Sequence, residues 1–284
     1  MPLVPMTEFL PQAKQKRFAV GQFNINNLEF TQAITEAGME ENSPLIFGVS
    51  EGAMRYIGLD YVIAIAKTAA DTSGLPIALH LDHGSSFDVV MKCIQAGFSS
   101  VMFDGSHYPF EENIRLTQEV VKAAHAVGVS VEGELGTIGG VEDDLSVDES
   151  DAALARPEEA IRFYEETKVD ALAIAVGTAH GMYKGEPKIR FDIIEEVSLQ
   201  VEAPIVLHGG SGVPDAAIQH AISLGVGKIN VNTESQVACT KKIRELLGND
   251  EAMIDPRKYL GPARDAIKEV VKQKIRLFGS NNQA

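Results

Sequence analysis

Short apolar runs, each closed by polar or glycine residues, recur along the whole chain. Eight read as strands: RFAVGQFN (17–24), PLIFGVS (44–50), PIALHLDH (76–83), SVMFDG (100–105), VSVEGELG (129–136), ALAIAVGTAH (171–180), PIVLHGGSG (204–212) and KINVNT (228–233). They are rich in Val, Ile, Leu and Phe, as buried strands are. Between them lie stretches with apolar residues at helical spacing. In LEFTQAITEAGMEEN, Ile34 and Ala37 extend the apolar face of Phe30. DYVIAIAKTAADTSG, SFDVVMKCIQAG, ENIRLTQEVVKAAHAVG, PEEAIRFYEETK and PDAAIQHAISLG behave likewise. Several end in Gly, a common helix stop. Eight strands alternating with helices in 284 residues predict a (β/α)₈ barrel, one domain over 1–284. An open doubly wound sheet is the competitor. No GxGxxG follows the first strand, and a count of eight favours closure. RDAIKEVVKQKIRLFG then reads as a C-terminal helical extension.

Composition narrows the partners. Hydrophobic residues make up 45%, enough for one sizeable core, and the formal net charge is −15. A nucleic-acid binder needs a basic excess, so that class is excluded. An anionic small molecule must therefore be captured by a local site. No apolar run reaches the ~18 residues of a membrane helix. The two cysteines, Cys93 and Cys239, sit in helix-like stretches and read as small core residues. With no signal peptide, they point to a cytoplasmic home.

In such a barrel the chemistry sits at the carboxyl ends of the strands. The polar residues there are Asn24, Ser50, Asp82, His83, Asp104, Glu132, Glu134, His180, His208 and Asn230. A lone strand-end histidine is ordinarily structural. His83, His180 and His208 come from three different strands, and each is followed by Gly. Three imidazoles plus an open position is the pattern of catalytic zinc. His80 shares the parity of Asp82 and lies one layer deeper, so it reads as core. Asp82, beside His83, is either a proton shuttle or an orienter of that ligand. Asp104 and Glu134 either hold a second or displaced cation or are plain solvated acids.

HGGSG (208–212) and NVNTES (230–235) close the seventh and eighth strands before helices. Loops in those positions often hold phosphate, here through N–H groups of Gly209, Ser211 and Thr233. Lys184, in HGMYKG, adds a point charge for the same anion. The longest connection begins TIGGVEDDLSVDESDAALARP. Its paired glycines and acidic stretch predict a mobile loop over the mouth. A lysine Schiff base would be the covalent alternative to a metal at such a mouth. Lys228 opens the eighth strand, which predicts a place near the bottom face, and Lys184 sits in a loop. The metal route is preferred.

At this point the chain resembles the class II, zinc-dependent ketose-bisphosphate aldolases, most closely the bacterial fructose-bisphosphate branch. The resemblance spans nearly the whole chain. It rests on GQFNINN, GVSEGA, LHLDHGSS, FDGSHYPFEEN, EGELGTIGGVEDD, GTAHGMYKG, LHGGSG, KINVNTES and DPRKYLGPAR. It implies that Asp82 is the proton donor and that His83, His180 and His208 bind Zn²⁺. Asp104 and Glu134 match an alternate cation position, and Glu142 the base at the nucleophilic carbon. Asn230 matches the donor to the developing oxyanion. Triose phosphate is held by residues matching Gly181, Lys184, Gly209, Gly210, Ser211, Asn230, Val231, Asn232 and Thr233. Asn24 and Ser50 line the substrate end. Arg257 reaches the other phosphate across a subunit boundary, which implies a homodimer or larger homo-oligomer. A second divalent cation and a monovalent cation (Na⁺ or K⁺) also go with the family.

The activity so implied is reversible cleavage of fructose 1,6-bisphosphate to dihydroxyacetone phosphate and glyceraldehyde 3-phosphate. Three alternatives remain open on the sequence. A tagatose-bisphosphate aldolase would prefer a small apolar residue at Asn232. A zinc hydrolase on this barrel would want a His-x-His pair where strand one ends FNIN. A non-catalytic phosphosugar-binding barrel would not need Asp82.

Overall fold

The computed structural model describes residues 2–142, 145–147, 153–181, 183 and 185–284, with backbone alone for residues 141, 142 and 145–147. The strands are β1 (Val20–Asn24), β2 (Leu45–Ser50), β3 (Ile77–Gly84), β4 (Ser100–Phe103), β5 (Ser130–Leu135), β6 (Gly139–Glu142), β7 (Leu145–Val147), β8 (Ala171–Ile174), β9 (Ala179–His180), β10 (Ile205–Leu207) and β11 (Val226–Val231). The helices are α1 (Leu10–Lys16), α2 (Leu28–Glu41), α3 (Glu51–Ile57), α4 (Leu59–Ser73), α5 (Phe87–Ala96), α6 (Phe110–His125), α7 (Pro157–Thr167), α8 (Phe191–Gln200), α9 (Asp215–Leu224), α10 (Thr233–Asn249) and α11 (Pro256–Phe278).

Eight strands close into a barrel in the order β1-β11-β10-β8-β5-β4-β3-β2. Every pairing in it is parallel. This is the expected (β/α)₈ barrel. Side chains alternate along a strand, so residues two apart share a face. That parity builds the interior in layers. The floor is apolar: Val20, Ile46, Ala78, Ala171 and Val206 pack with Met6, Phe9 and Leu10. The next layer holds Gln22, His80, Glu132 and Lys228, each fully buried. Two residues further on, Asn24, Asp82, Glu134 and Asn230 stand at the mouth. Outward-facing Phe23, Phe47, Leu79, Val101 and Val131 form the large core between strands and helices. Burying each of these is worth roughly 1.5–3 kcal/mol.

The segment before β1 forms α1, which plugs the bottom of the barrel. A short helix of mixed polarity leaves little periodic signal, so only tertiary packing reveals it. Its end is fixed by Arg17 in the left-handed region and by Lys14, whose ammonium donates to Ser198 O and Ala203 O.

Two expected elements differ. The sixth run, 171–180, is not one strand: β8 stops at Ile174, Gly177 turns with φ +92, and β9 starts afresh. The connection after β5, expected as a mobile loop, contains an antiparallel hairpin of β6 and β7. β6 also pairs with β9, so Gly139 and Gly140 lie opposite Ala179 and His180. Residues 143, 144 and 148–152 lie outside the described set.

The terminal helix α11 begins at Pro256, about two turns before the expected start at Arg264. Asp255 caps it, accepting from Arg257 N at 3.0 Å. It packs against α2 and α10. Lys268 to Glu36 (3.5 Å), Lys272 to Glu40 (2.6 Å) and Arg276 to Glu41 (2.6 Å) line the α2 seam. Among the described residues, no helix is long and apolar enough to cross a membrane.

Candidate active site and metal centre

Asp82 and His83 are sequence neighbours, so a regular strand would send them to opposite faces. Instead, the β3–β4 register shifts between Leu81 and Gly84, and His83 adopts φ 51. A left-handed non-glycine residue costs roughly 1–2 kcal/mol. The kink brings both side chains to the mouth, with His83 Nε2 4.0 Å from Asp82 Oδ1. Asp82 Oδ2 accepts from Asn24 Nδ2 at 3.0 Å. Asn24, expected to line substrate, thus holds the carboxylate.

His208 follows β10 directly, and His180 lies on β9 rather than at a barrel-strand end. The structure brings them to His83. Ring centroids are 5.2 Å apart for His83–His180, 4.7 Å for His83–His208 and 5.7 Å for His180–His208. One ring nitrogen from each lies within 4.8 Å of the others. His83 Nε2 and His208 Nδ1 are 3.1 Å apart. Two nitrogens about 2.0–2.1 Å from one tetrahedral zinc stand roughly 3.3 Å from each other, so the spacing fits. Gly140 matters here: its φ is +103, and a Cβ would strike the backbone of His180.

The second group is His83, Asp104 and Glu134. His83 Nδ1 lies 2.9 Å from Asp104 Oδ2 and 3.7 Å from Glu134 Oε2. One imidazole therefore faces two candidate cation positions, one through each ring nitrogen. Neither acid is the solvated group the sequence left open.

The electrostatics suit a cation. Burial lowers His83, but the Asp104 hydrogen bond and the charges of Glu134 and Asp82 raise it well above its usual value. His180 falls well below the ordinary value through burial and the neighbouring His83 and His208. His208 is lowered too, chiefly by burial. Burial and the carboxylate of Asp104 push Glu134 well up. Burial also raises Asp82, yet His83, His208 and Lys228 carry it down to about 2. Asp82 Oδ1 and Glu134 Oε2 are buried with no hydrogen-bond partner. Buried acceptors without donors are what a metal ion satisfies. Neutral imidazole and carboxylate are donors that zinc accepts.

The anion side is partly built. Gly209 (φ 66) and Gly212 (φ 78) turn the loop after His208, and Gly181 (φ 91) turns the one after His180. The Gly210 N–H is already used, donating to Asn230 O at 2.9 Å. Gly210 therefore shapes the loop rather than offering a donor. Ser211 Oγ accepts from Glu234 N at 3.3 Å, beside the first turn of α10, where Thr233 is the first helical residue. Helix starts of this kind favour anions. Val231 is buried in the barrel wall, so only its backbone can serve. Asn232 Oδ1 accepts from Asn26 Nδ2 at 3.1 Å. Ser50 caps α3, accepting from Ala53 N at 3.1 Å. Lys184 and the Glu142 side chain lie outside the described residues. Arg257 is exposed and paired with Asp255 at 2.9 Å, near Glu29, Gln32 and Arg264 rather than in this chain's mouth.

Lys228 corrects the sequence reading. It is fully buried inside the barrel, not at the bottom face, and lies 2.8 Å from Glu132 Oε2. The third position of β11 places it one layer under the mouth. His80, as expected, is core: it meets Ser100 Oγ at 2.8 Å, and burial carries it down to about 3. A cleft of about 810 Å³, lined by Asn26, Arg55, Tyr56 and Gln236, has no signal in the sequence. Its residues lie outside the strand ends, where no spacing rule points.

The chain resembles known proteins along its full length. A sequence profile of the "Fructose-bisphosphate aldolase class-II" family matches residues 4–283. The chain is 55% identical over 287 positions, covering all of both proteins, to the fructose-bisphosphate aldolase of Staphylococcus aureus (strain N315). The same identity and coverage hold for the probable fructose-bisphosphate aldolase of Bacillus subtilis (strain 168). Among solved structures, the YdjI aldolase of Escherichia coli K12 superposes with a TM-score of 0.88 at 34% identity, covering 99% of each chain. A putative fructose-1,6-bisphosphate aldolase from Coccidioides immitis gives 0.86 at 28% identity over 96% of each. Matched from end to end by that family profile, the chain belongs to the class-II fructose-bisphosphate aldolases.

Proposed function

We propose that this barrel cleaves fructose 1,6-bisphosphate reversibly to dihydroxyacetone phosphate and glyceraldehyde 3-phosphate. One observation carries the reading: three imidazoles from separate segments meet beside the Asp82 carboxylate. His83, His180 and His208 would hold zinc, the metal on which this family depends. When bound, zinc supplies Lewis-acid stabilisation of the negative charge that builds as the carbon–carbon bond breaks.

The chain's own residues do the rest. Asp82 takes the proton from the C4 hydroxyl in cleavage and returns it in synthesis. Its low proton affinity and the Asn24 bond keep it ionised and aimed. Asn230 donates an N–H to the oxygen that gains charge; such a donor is typically worth ~3 kcal/mol. Glu142 exchanges the proton at the nucleophilic carbon. Gly181, Lys184, Gly209, Ser211, Asn232 and Thr233 hold one phosphate, and Ser50 lines the other end. Asp104 and Glu134 serve a second or displaced divalent cation, and a monovalent cation (Na⁺ or K⁺) sits by the phosphate loops. Arg257 serves the site of a second copy, which makes the working unit at least a homodimer. The enzyme acts in the cytoplasm.

The test is a kinetic comparison of the two C4-epimeric bisphosphates, fructose and tagatose, with zinc measured on the same sample. The reading expects higher kcat/KM for fructose 1,6-bisphosphate. A preference for the tagatose epimer would reassign the substrate. No cleavage of either by zinc-loaded protein would leave a binding barrel.

A further inference from the structure

Directly under the mouth lies a buried charge pair that the aldol steps do not use. Lys228 and Glu132 are both fully buried, with Nζ 2.8 Å from Oε2. The Lys228 ammonium also donates to Asn230 Oδ1 at 2.8 Å. The other Glu132 oxygen accepts from His208 Nε2 at 2.9 Å. Asn230 Nδ2 lies 3.2 Å from His208 Nδ1. The contacts close a ring: Lys228, Glu132, His208, Asn230 and back to Lys228.

Burying an ion pair is costly, and a well-packed apolar pair is often no less stable. Stability alone gives little reason to keep one here. Orientation does. A carboxamide has an accepting end and a donating end, and an ammonium can only donate. Lys228 therefore takes the carbonyl end of Asn230, and the N–H₂ end turns toward the mouth. A flipped Asn230 would offer its carbonyl to an oxygen gaining negative charge. A carboxylate can only accept. Glu132 therefore takes the Nε2 proton of His208 and leaves the Nδ1 lone pair facing His83.

We propose that the Lys228–Glu132 pair is a positioning device for the reaction. It holds Asn230 with its donor toward the developing charge and His208 with Nδ1 toward the cation. This rests on the roles given above to Asn230 and the three histidines. Neither Lys228 nor Glu132 touches the substrate; both act through the residues they orient.

The test is a double-mutant cycle on zinc-loaded enzyme, with kcat expressed per bound zinc and KM measured alongside. Separately, competition against a chelator should show weaker zinc binding in Glu132→Ala, which frees His208 Nε2; wild-type affinity there would overturn the hold on His208. The proteins of the cycle are wild type, Lys228→Met, Asn230→Ala and the double variant. Each single change should lower kcat roughly 100-fold or more, the typical loss for one oxyanion donor, with KM little altered. The double variant should be no slower than Asn230→Ala alone, because Lys228 then has no carboxamide to aim and Glu132 still holds His208. A merely structural lysine would give losses that multiply, and that result overturns the proposal. So does Lys228→Met at wild-type kcat, which leaves the proposed function standing. Asn230→Ala at wild-type kcat removes the role of Asn230 and the proposal with it. If unpaired Glu132 prevents folding of Lys228→Met, the neutral pair Lys228→Met with Glu132→Gln takes its place under the same criteria.

Discussion

The hydroxyl of Tyr183 donates to Gly209 O at 2.8 Å while accepting from Ala179 N at 2.8 Å. Ala179 precedes one candidate ligand, His180, and Gly209 follows another, His208. One phenol therefore ties the two segments that carry two of the three imidazoles. Gly209 presses so closely on Ala179 that a Cβ there would strike its carbonyl. Tyr183→Phe keeps the ring and removes both bonds. Zinc affinity should fall roughly 10–100-fold, the usual effect of losing a partner behind the ligands. Competition against a chelator of known affinity measures it. Unchanged affinity would show that the segments hold themselves.

Much of this site was legible because barrels display function at strand ends. The triad His83, His180 and His208 followed from position and from the glycines behind each ring. The geometry that brings the triad and Asp82 together was less legible. Parity alone places Asp82 and His83 on opposite faces; only the left-handed His83 and the slipped β3–β4 register reconcile them. KINVNT reads as a strand that starts at its lysine, which sets Lys228 too low in the barrel. Val226 and Gly227 precede it in β11, which lifts it into the lumen. The helix α1 and the hairpin of β6 and β7 carry too few apolar residues to announce themselves. The helix is defined by what it packs against, and the hairpin by the pairing of β6 with β9.

Asp82→Ala should keep zinc and lose most turnover. A general acid–base group typically contributes ~10²–10⁴-fold. Metal analysis and steady-state cleavage on the same preparation decide it. An unchanged rate removes Asp82 from the mechanism.

Arg257 allows a test of whether two copies share a site. Arg257→Ala and Asp82→Ala should each be impaired alone. If Arg257 reaches a partner's mouth, mixed dimers hold one intact site. Random re-pairing of equal amounts should then restore about a quarter of wild-type activity in a two-fold symmetric dimer. No recovery on mixing would place Arg257 outside the partner's site.

Cys93 is 1% exposed, and burial, aided by the charge of Glu51, pushes its thiol up to about 12. Its proton is retained in the folded state between pH 9 and 12 but lost in the unfolded chain. Cys93 thus contributes stability that is full below pH 9 and fades as pH rises through 12. In a Cys239→Ser background, native protein at pH 8 should resist alkylation and react only when unfolded. Rapid native labelling would contradict a core role for Cys93.

The central claim is that the charge left by bond cleavage is carried through a cation held by the three imidazoles. The direct measurement is fructose 1,6-bisphosphate cleavage before chelation, after complete metal removal and after zinc is returned, with metal quantified at each step. Activity should vanish with the metal and return in proportion to bound zinc. Cleavage persisting at its original rate in protein shown to be metal-free would contradict the account.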